Sequence, residues 1–474
     1  MAILYGDWKR RHEEEERAER KRFWLRTGAT VLVAVALASV LWIGVSRAWT
    51  ILRGVSLGAA FSVASADIPQ DAHGHTNILL VGQGDEAGEN LTDTLMVASI
   101  DTASRSVALL SLPRDLYLLK REGLRPGKIN STYRDFLIRF RREGMEEAEA
   151  SQAALHALKD EIGEALTMDI HAAVKIGFDG FVAAVDALGG VDVTVPQDIV
   201  DTEYPTDDYG YQTFSISAGP QHLDGATALK YARSRHTTSD FDRSERQQQL
   251  LTAMAARVRE QGILGKAQTV VALQEILRQH VEMTLSLPQL MSLAKLGVQI
   301  DRSNIVTMQL SDRNGLYGDI VLPGGFLYTP PRDQFEGMSV LLPVSIPEFP
   351  VTWKQLQALK ALLIDTRDPY LHPAPVAILN AGAVSGAARK LANEIIRYGL
   401  QEVDLVANAS IDDRPDSVIA TDEAGRPLAA FLGTLLGIPL GDLPPALAAD
   451  ERRSITILLG EDYRFAPLQN LLLP

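Results

Sequence analysis

The chain of 474 residues contains no cysteine. That absence excludes disulfide staples, thiolate metal sites and cysteine nucleophiles. It leaves the compartment open, because many exported proteins of bacterial type also lack cysteine. A Walker loop, an HExxH pair and a GxGxxG dinucleotide fingerprint are missing as well. One formal match to G-x-S-x-G, at Gly54–Gly58, has no sheet strand before it and is no nucleophile elbow. Positive charge is in deficit: 46 Lys and Arg stand against 60 Asp and Glu, a formal net charge of −14. Such a balance argues against a general nucleic-acid binder, and any local basic pocket then points to a small, focused anionic ligand. Apolar content of 46% and charged content of 22% are ordinary for a folded protein, and the length suits two or three domains.

What is present starts with an apolar run. Thr27 to Ser46 (TGATVLVAVALASVLWIGVS) carries no charge and has the roughly twenty residues that a spanning helix needs. Trp24 and Trp42 lie near its ends, as interfacial aromatics do. Lys9, Arg10, Arg11, Arg17, Arg20, Lys21, Arg22 and Arg26 precede it, whereas only Arg47 and Arg53 follow closely. The positive-inside rule therefore predicts a cytoplasmic tail at 1–26, a single-pass anchor in the cell membrane at 27–46, and an extracytoplasmic remainder. Ala64-Ser65-Ala66 resembles a cleavage site but lies far beyond the apolar run, so the anchor is expected to stay uncleaved. Residues 47–75 read as a juxtamembrane stalk.

Beyond the stalk, strands and helices interleave. Asn77–Gly82, Thr94–Ile100 and a run from Ser106 that stops at Pro113 read as strands. Residues 144–166 read as a helix; Phe178–Pro196 reads as a helix stopped by Gly189-Gly190 and then a strand. Helical patterns return at 243–262, 267–283 and 287–298. The expected fold is α/β, a mixed sheet with flanking helices over 76–345. A connector at 346–373 holds a short helix at 352–364. A small C-terminal α/β domain at 374–466 follows, with strands at Pro375–Gly382, VDLVANAS and Ile455–Gly460 and helices near 386–399 and 426–436.

The candidate chemistry centres on KYARSRHTTSDFDRSERQQQ, Lys230 to Gln249. If Tyr231 to Arg235 is extended, Arg233 and Arg235 share a face. If a helix begins near Asp240, then Arg243, Arg246 and Gln247 share another. Guanidinium forks suit carboxylates and phosphates. A salt-bridged turn accounts for the same residues, since Asp240, Asp242 and Glu245 lie among the arginines, and this stretch alone leaves both readings open. Thr92-Asp93-Thr94 and Pro113-Arg114-Asp115 add polar residues at strand ends. Separately each is a turn or a local ion pair. Together, arginines and carboxylates are what a magnesium-assisted pyrophosphate site needs.

Six separated motifs carry a resemblance: NILLVG…LTDTLMVASID, LLSLPRDLYL, GKIN at Gly127–Asn130, VDALGGVDV, LDGATALKYARSRH and SDFDRSERQQ. In this order, over residues about 75–262, the chain resembles the LytR–CpsA–Psr proteins. VAILNAGAVSGAA and ITILLGEDY are similar to the ends of the LytR C-terminal domain found in many members. The resemblance implies an extracytoplasmic phosphotransferase. Such an enzyme moves a glycopolymer from a polyprenyl-pyrophosphate carrier to peptidoglycan or another envelope acceptor, and its partners include no nucleic acid.

Carried over by residue, the resemblance implies that Asp93 holds Mg²⁺ at the pyrophosphate and that Arg114, Arg233, Arg235 and Arg243 clamp the phosphates. Gln247 would orient them, Asp240 would be the base for the acceptor hydroxyl, and Lys128 at the rim and Arg246 beside Arg243 would contact substrate. An apolar tunnel would hold the prenyl chain. Two departures stand out. Many members have an Asp shortly after the first strand's Gly and an Arg two residues before the counterpart of Asp93. Here the loop is GQGDEAGEN, Asp85 is the nearest candidate for a second metal carboxylate, and Leu91 occupies the arginine position. The same site with water as acceptor would be a carrier pyrophosphatase. A non-catalytic polymer scaffold is the alternative of another class, disfavoured because a scaffold has no reason to keep that polar set. Transcriptional regulation, suggested by family naming, fails on orientation, since the site would lie outside the membrane.

Overall fold

The first three strands are buried on both faces, and that decides the architecture. A computed structural model describes residues 67–474 apart from 85–89, 207–209, 235–242, 244–245, 248, 251–252, 255, 258–278, 287–288, 290–291, 294–295, 297–298, 311–324, 345–350, 401–402, 412 and 474. The expected tail and anchor, and the stalk up to residue 66, lie outside them. No helix among the described residues is long and apolar enough to cross a membrane.

Strands β1 (His75–Gln83), β2 (Thr92–Asp101) and β3 (Ser106–Leu112) form an antiparallel meander, and β3 stops just before Pro113. Helices α1 (Ile129–Arg142) and α2 (Glu147–Leu166) follow, then β4 (Ala172–Ile176), parallel to β1. The unit continues through α3 (Phe178–Ala187), β5 (Val191–Val195), β6 (Ile199–Pro205), β7 (Tyr211–Ile216), β8 (Gly219–Leu223) and α4 (Gly225–Arg233). Strands β9 (Val281–Met283) and β10 (Ile305–Gln309) complete a six-stranded mixed sheet in the order β9-β4-β1-β2-β3-β10.

Because successive side chains point to opposite faces, Leu79, Val81, Leu95 and Val97 pack under α1 and α2. Ile78, Leu80, Met96 and Ala98 build a second core with Leu293 and Ile300. Burial on both faces explains why these strands read as continuous apolar runs rather than alternating ones. The α1 helix hides behind the GKIN motif, but Ile129, Tyr133, Phe136 and Leu137 recur at helical spacing and are buried.

Two expectations are corrected. Tyr231 to Arg233 is helical rather than extended: the Asp224 side chain accepts from the Thr227 amide at 2.8 Å and starts α4, whose Ala228, Tyr231 and Ala232 share a buried face. The helical pattern at 267–283 ends on a strand, because β9 completes the free edge of β4, with Thr284 bonded to Ala173 in both directions.

The connector forms helix α5 (Lys354–Lys360) continued by a π-helical turn, Ala361–Thr366. The C-terminal unit holds β11 (Val376–Asn380), α6 (Ala387–Arg397), β12 (Val403–Asn408), β13 (Val418–Thr421), α7 (Arg426–Leu436) and β14 (Ile455–Leu459), its sheet ordered β12-β11-β14-β13. Its core is continuous with that under α1 and α2: the Phe326 and Tyr398 rings meet edge to face at 5.2 Å, and Tyr370 Oη donates to the Tyr398 carbonyl at 2.7 Å.

Candidate active site

The carboxyl ends of the parallel pair β1 and β4, where a ligand crevice is expected in an α/β sheet, open into a cavity of about 520 Å³. Part of its wall is apolar, with Leu80, Val174, Ile176, Phe181, Leu250 and Met254. Its polar wall includes Asp93, Thr94, Arg233, Arg243 and Gln247. Three motif stretches far apart in sequence thus meet at one space.

Asp93 sits near the start of β2, its side chain 30% exposed. Arg114, which follows β3, donates from Nη1 to Asp93 Oδ1 at 3.1 Å. Behind it, Arg114 Nε lies 3.8 Å from Asp115 Oδ2, and Lys128 Nζ pairs with Asp115 Oδ1 at 2.6 Å. Lys128 therefore supports the arginine through Asp115, and neither of the two lines the cavity: Arg114, expected to clamp the phosphates, instead holds Asp93. The other Asp93 oxygen lies against Gly84, where an added Cβ would be only 2.1 Å from Oδ2. A side chain there would have to push the carboxylate aside. Next along the strand, the Thr94 hydroxyl donates to Gln247 Oε1 at 3.1 Å, joining β2 to the segment after α4.

Arg233, in the last turn of α4, is held by its plane. Its guanidinium carbon lies 4.4 Å from the Phe178 ring centroid and 5.5 Å from that of Tyr204, and Nη1 donates to Tyr204 Oη at 3.3 Å. These contacts hold the guanidinium against aromatic rings, and its other N–H groups remain suited to an anion. Arg243 is nearly buried and also lines the cavity. Arg246 differs and corrects the substrate-contact expectation: its Nε donates to the Tyr231 carbonyl at 2.9 Å and its Nη2 to the Ser234 carbonyl. It caps the end of α4, where a cation meets carbonyls that the helix leaves unpaired. Arg235, Asp240 and Asp85 lie outside the described residues.

Phe178, Tyr204, Asp201 and Glu203 join the site without having been expected there. Asp201 is buried and accepts from the Ser234 hydroxyl at 2.9 Å. The signal for the aromatics is three-dimensional, since nothing in local spacing couples Phe178 or Tyr204 to Arg233. For a metal, no group of three or more His, Asp or Glu gathers among the described residues. Asp93 alone nonetheless fits Mg²⁺, which is commonly held by one or two carboxylates together with phosphate oxygens. Guanidinium groups at the mouth of an apolar cavity suit an amphiphile with a phosphate head.

Comparison with known proteins identifies the family. The model of the LytR_cpsA_psr family matches residues 56–339. A second, described as LytR cell envelope-related transcriptional attenuator, matches residues 374–463. The cell wall biosynthesis protein LcpA of Corynebacterium glutamicum is 29% identical over 250 residues, 48% of this chain and 46% of that protein. The matched stretch thus spans about half the length of LcpA. The polyisoprenyl-teichoic acid–peptidoglycan teichoic acid transferase TagU of Oceanobacillus iheyensis is 27% identical over 252 residues, 52% of this chain and 71% of that protein. The crystal structure of Bacillus subtilis TagV aligns with 23% identity and a TM-score of 0.41, over 58% of this chain and 92% of that one. With more than half of its length matched by a single family model, the chain belongs to the LytR_cpsA_psr family.

Proposed function

We propose that the protein transfers a glycopolymer from a polyprenyl-pyrophosphate carrier to peptidoglycan or another envelope acceptor. One observation carries the reading: a single cavity joins apolar lining residues, fit for a prenyl chain, to Asp93, Arg233, Arg243 and Gln247, fit for a diphosphate. TagU of O. iheyensis is named for a reaction of this class. The uncharged run at Thr27–Ser46, with its basic N-terminal flank, supports an anchored protein with its site outside the membrane.

In this mechanism an acceptor hydroxyl oxygen attacks the phosphorus that bears the sugar. The bond from that phosphorus to the bridging oxygen breaks, polyprenyl phosphate leaves, and the hydroxyl proton passes to a carboxylate, for which Asp240 is the candidate. Arg233, held against Phe178 and Tyr204, and Arg243 neutralise charge that builds on the phosphoryl oxygens. Gln247, joined to Thr94, orients the phosphate. Asp93 would hold Mg²⁺, which when bound offsets phosphate charge as a Lewis acid. Arg114 keeps the Asp93 carboxylate in place.

The test incubates the full chain in detergent with a short-chain polyprenyl-pyrophosphate glycan, Mg²⁺ and acceptor, and measures polyprenyl phosphate and linked product. Release and linkage that vanish in Asp93→Ala and Arg233→Ala are expected. Release without linkage would replace transfer with hydrolysis. Tight carrier binding without release would leave a scaffold.

A further inference from the structure

One stretch of the cavity wall carries none of the groups assigned to the phosphates. It is the β6–β7 hairpin, in which Tyr204 pairs with Gln212 and Pro205 with Tyr211. A register shift between Asp201 and Tyr204 turns the strand there. Tyr204 enters the packed side with Phe214. Glu203 and Pro205, two residues apart, face the other way, together with Tyr211 across the hairpin. All three line the cavity and all three are exposed. Tyr211, at 72%, is the most exposed large apolar side chain among the described residues.

A tyrosine face and a prolyl ring exposed together on the wall of a cavity offer a surface on which a ligand can rest. Glu203 narrows what that ligand is. A carboxylate repels phosphate, and when ionised it only accepts hydrogen bonds, so it suits a ligand part rich in hydroxyl donors. A flat tyrosine face, a prolyl ring and a carboxylate acceptor together match the C–H face and the hydroxyl edge of a pyranose. Position agrees. Arg233, the arginine assigned to the phosphates, lines the same cavity as Glu203, Pro205 and Tyr211.

The geometry points to a saccharide subsite on this hairpin: Tyr211 and Pro205 stack beneath the first sugar of the carrier-linked glycan, and Glu203 accepts its hydroxyls. This rests on the carrier reading of the cavity. The subsite grips the sugar being transferred and leaves the prenyl and phosphate contacts untouched.

The test compares two probes on the full chain in detergent: short-chain polyprenyl pyrophosphate, bare and bearing one hexose. Wild type is expected to bind the hexose-bearing probe about five- to tenfold more tightly. Tyr211→Ala should abolish that gap with the affinity for the bare probe unchanged, Tyr211→Phe should retain it, and Glu203→Gln should narrow it. A gap that survives Tyr211→Ala, or an equal loss for both probes, overturns the subsite and spares the carrier reading. If neither probe binds to wild type, the carrier reading falls and the subsite falls with it.

Discussion

The first sheet has an arginine at each end, and the two are employed in opposite ways. At the end where β3 begins, Arg367 of the connector is buried and donates to the Ser106 carbonyl at 3.0 Å, the Ser106 hydroxyl at 3.1 Å and the Ser99 hydroxyl at 2.9 Å. Burial lowers its pKa to about 10, against the support of Asp101, Asp71 and Asp365. At the end where β3 stops, Arg114 keeps a fifth of its side chain exposed and is held by Asp93 and Asp115, themselves part-exposed. A guanidinium surrounded by fixed, buried partners cannot change them without a large desolvation cost. One held by part-exposed carboxylates, of which Asp93 lines the cavity, can move with them at little cost. Exposure and the kind of partner, rather than residue type, separate structural from functional arginines here.

The comparison breaks most visibly through Asp93. Asp93→Ala should reduce carrier turnover by about 10²–10³-fold, while the thermal midpoint moves by no more than about 1 kcal/mol of stability would produce, since the pair is part-exposed. Arg367→Met should do the reverse. Its removal strips Ser99, Ser106 and the nearby aspartates of a buried partner, so urea titration should record a loss of about 3 kcal/mol, with per-molecule turnover of the folded fraction retained. Large turnover loss in the second variant would erase the distinction.

A finer probe is Gly84→Ala, whose Cβ would meet Asp93 Oδ2 at 2.1 Å. Displacing that carboxylate should cost roughly tenfold in turnover and little stability, as read by single-turnover kinetics beside a melting curve. The smallest effect concerns pH at the buried-arginine end. Burial lowers the pKa of His75, and neighbouring Arg367 lowers it further; burial likewise lowers that of His171. Both therefore bind fewer protons when folded. Their contribution is fully present above the unfolded value of 6.5 and is lost as pH falls below it toward the depressed folded values. Urea stability should decline from pH 7.5 to 5.5, and Arg367→Met should flatten the slope by removing the adjacent charge.

Much of this was legible in the sequence, for physical reasons. Asn77–Gly82 and Thr94–Ile100 are apolar on both faces and could be read as buried strands, which extend here to His75–Gln83 and Thr92–Asp101. Arg233 was legible as a site residue but not its conformation: Ala228, Tyr231 and Ala232 repeat at helical spacing, and the Asp224 cap lies just outside the motif that draws attention. Arg246 misled because helical spacing relates it to Arg243 and says nothing of the carbonyls at the end of α4. Phe178 and Tyr204 were invisible because their link to Arg233 exists only after folding.

The continuous core shared by the two units bears on modularity. Phe326 belongs to the first unit and Tyr398 to the second, and their rings form one contact within a single apolar cluster. Cutting the chain at residue 373, where the family models suggest a seam, would leave Phe326 and the inner face of α5 facing water. The C-terminal unit is therefore a graft that has healed into its host: the two should melt as one cooperative body, and exchanging this unit between relatives would mean exchanging the surface that receives it as well.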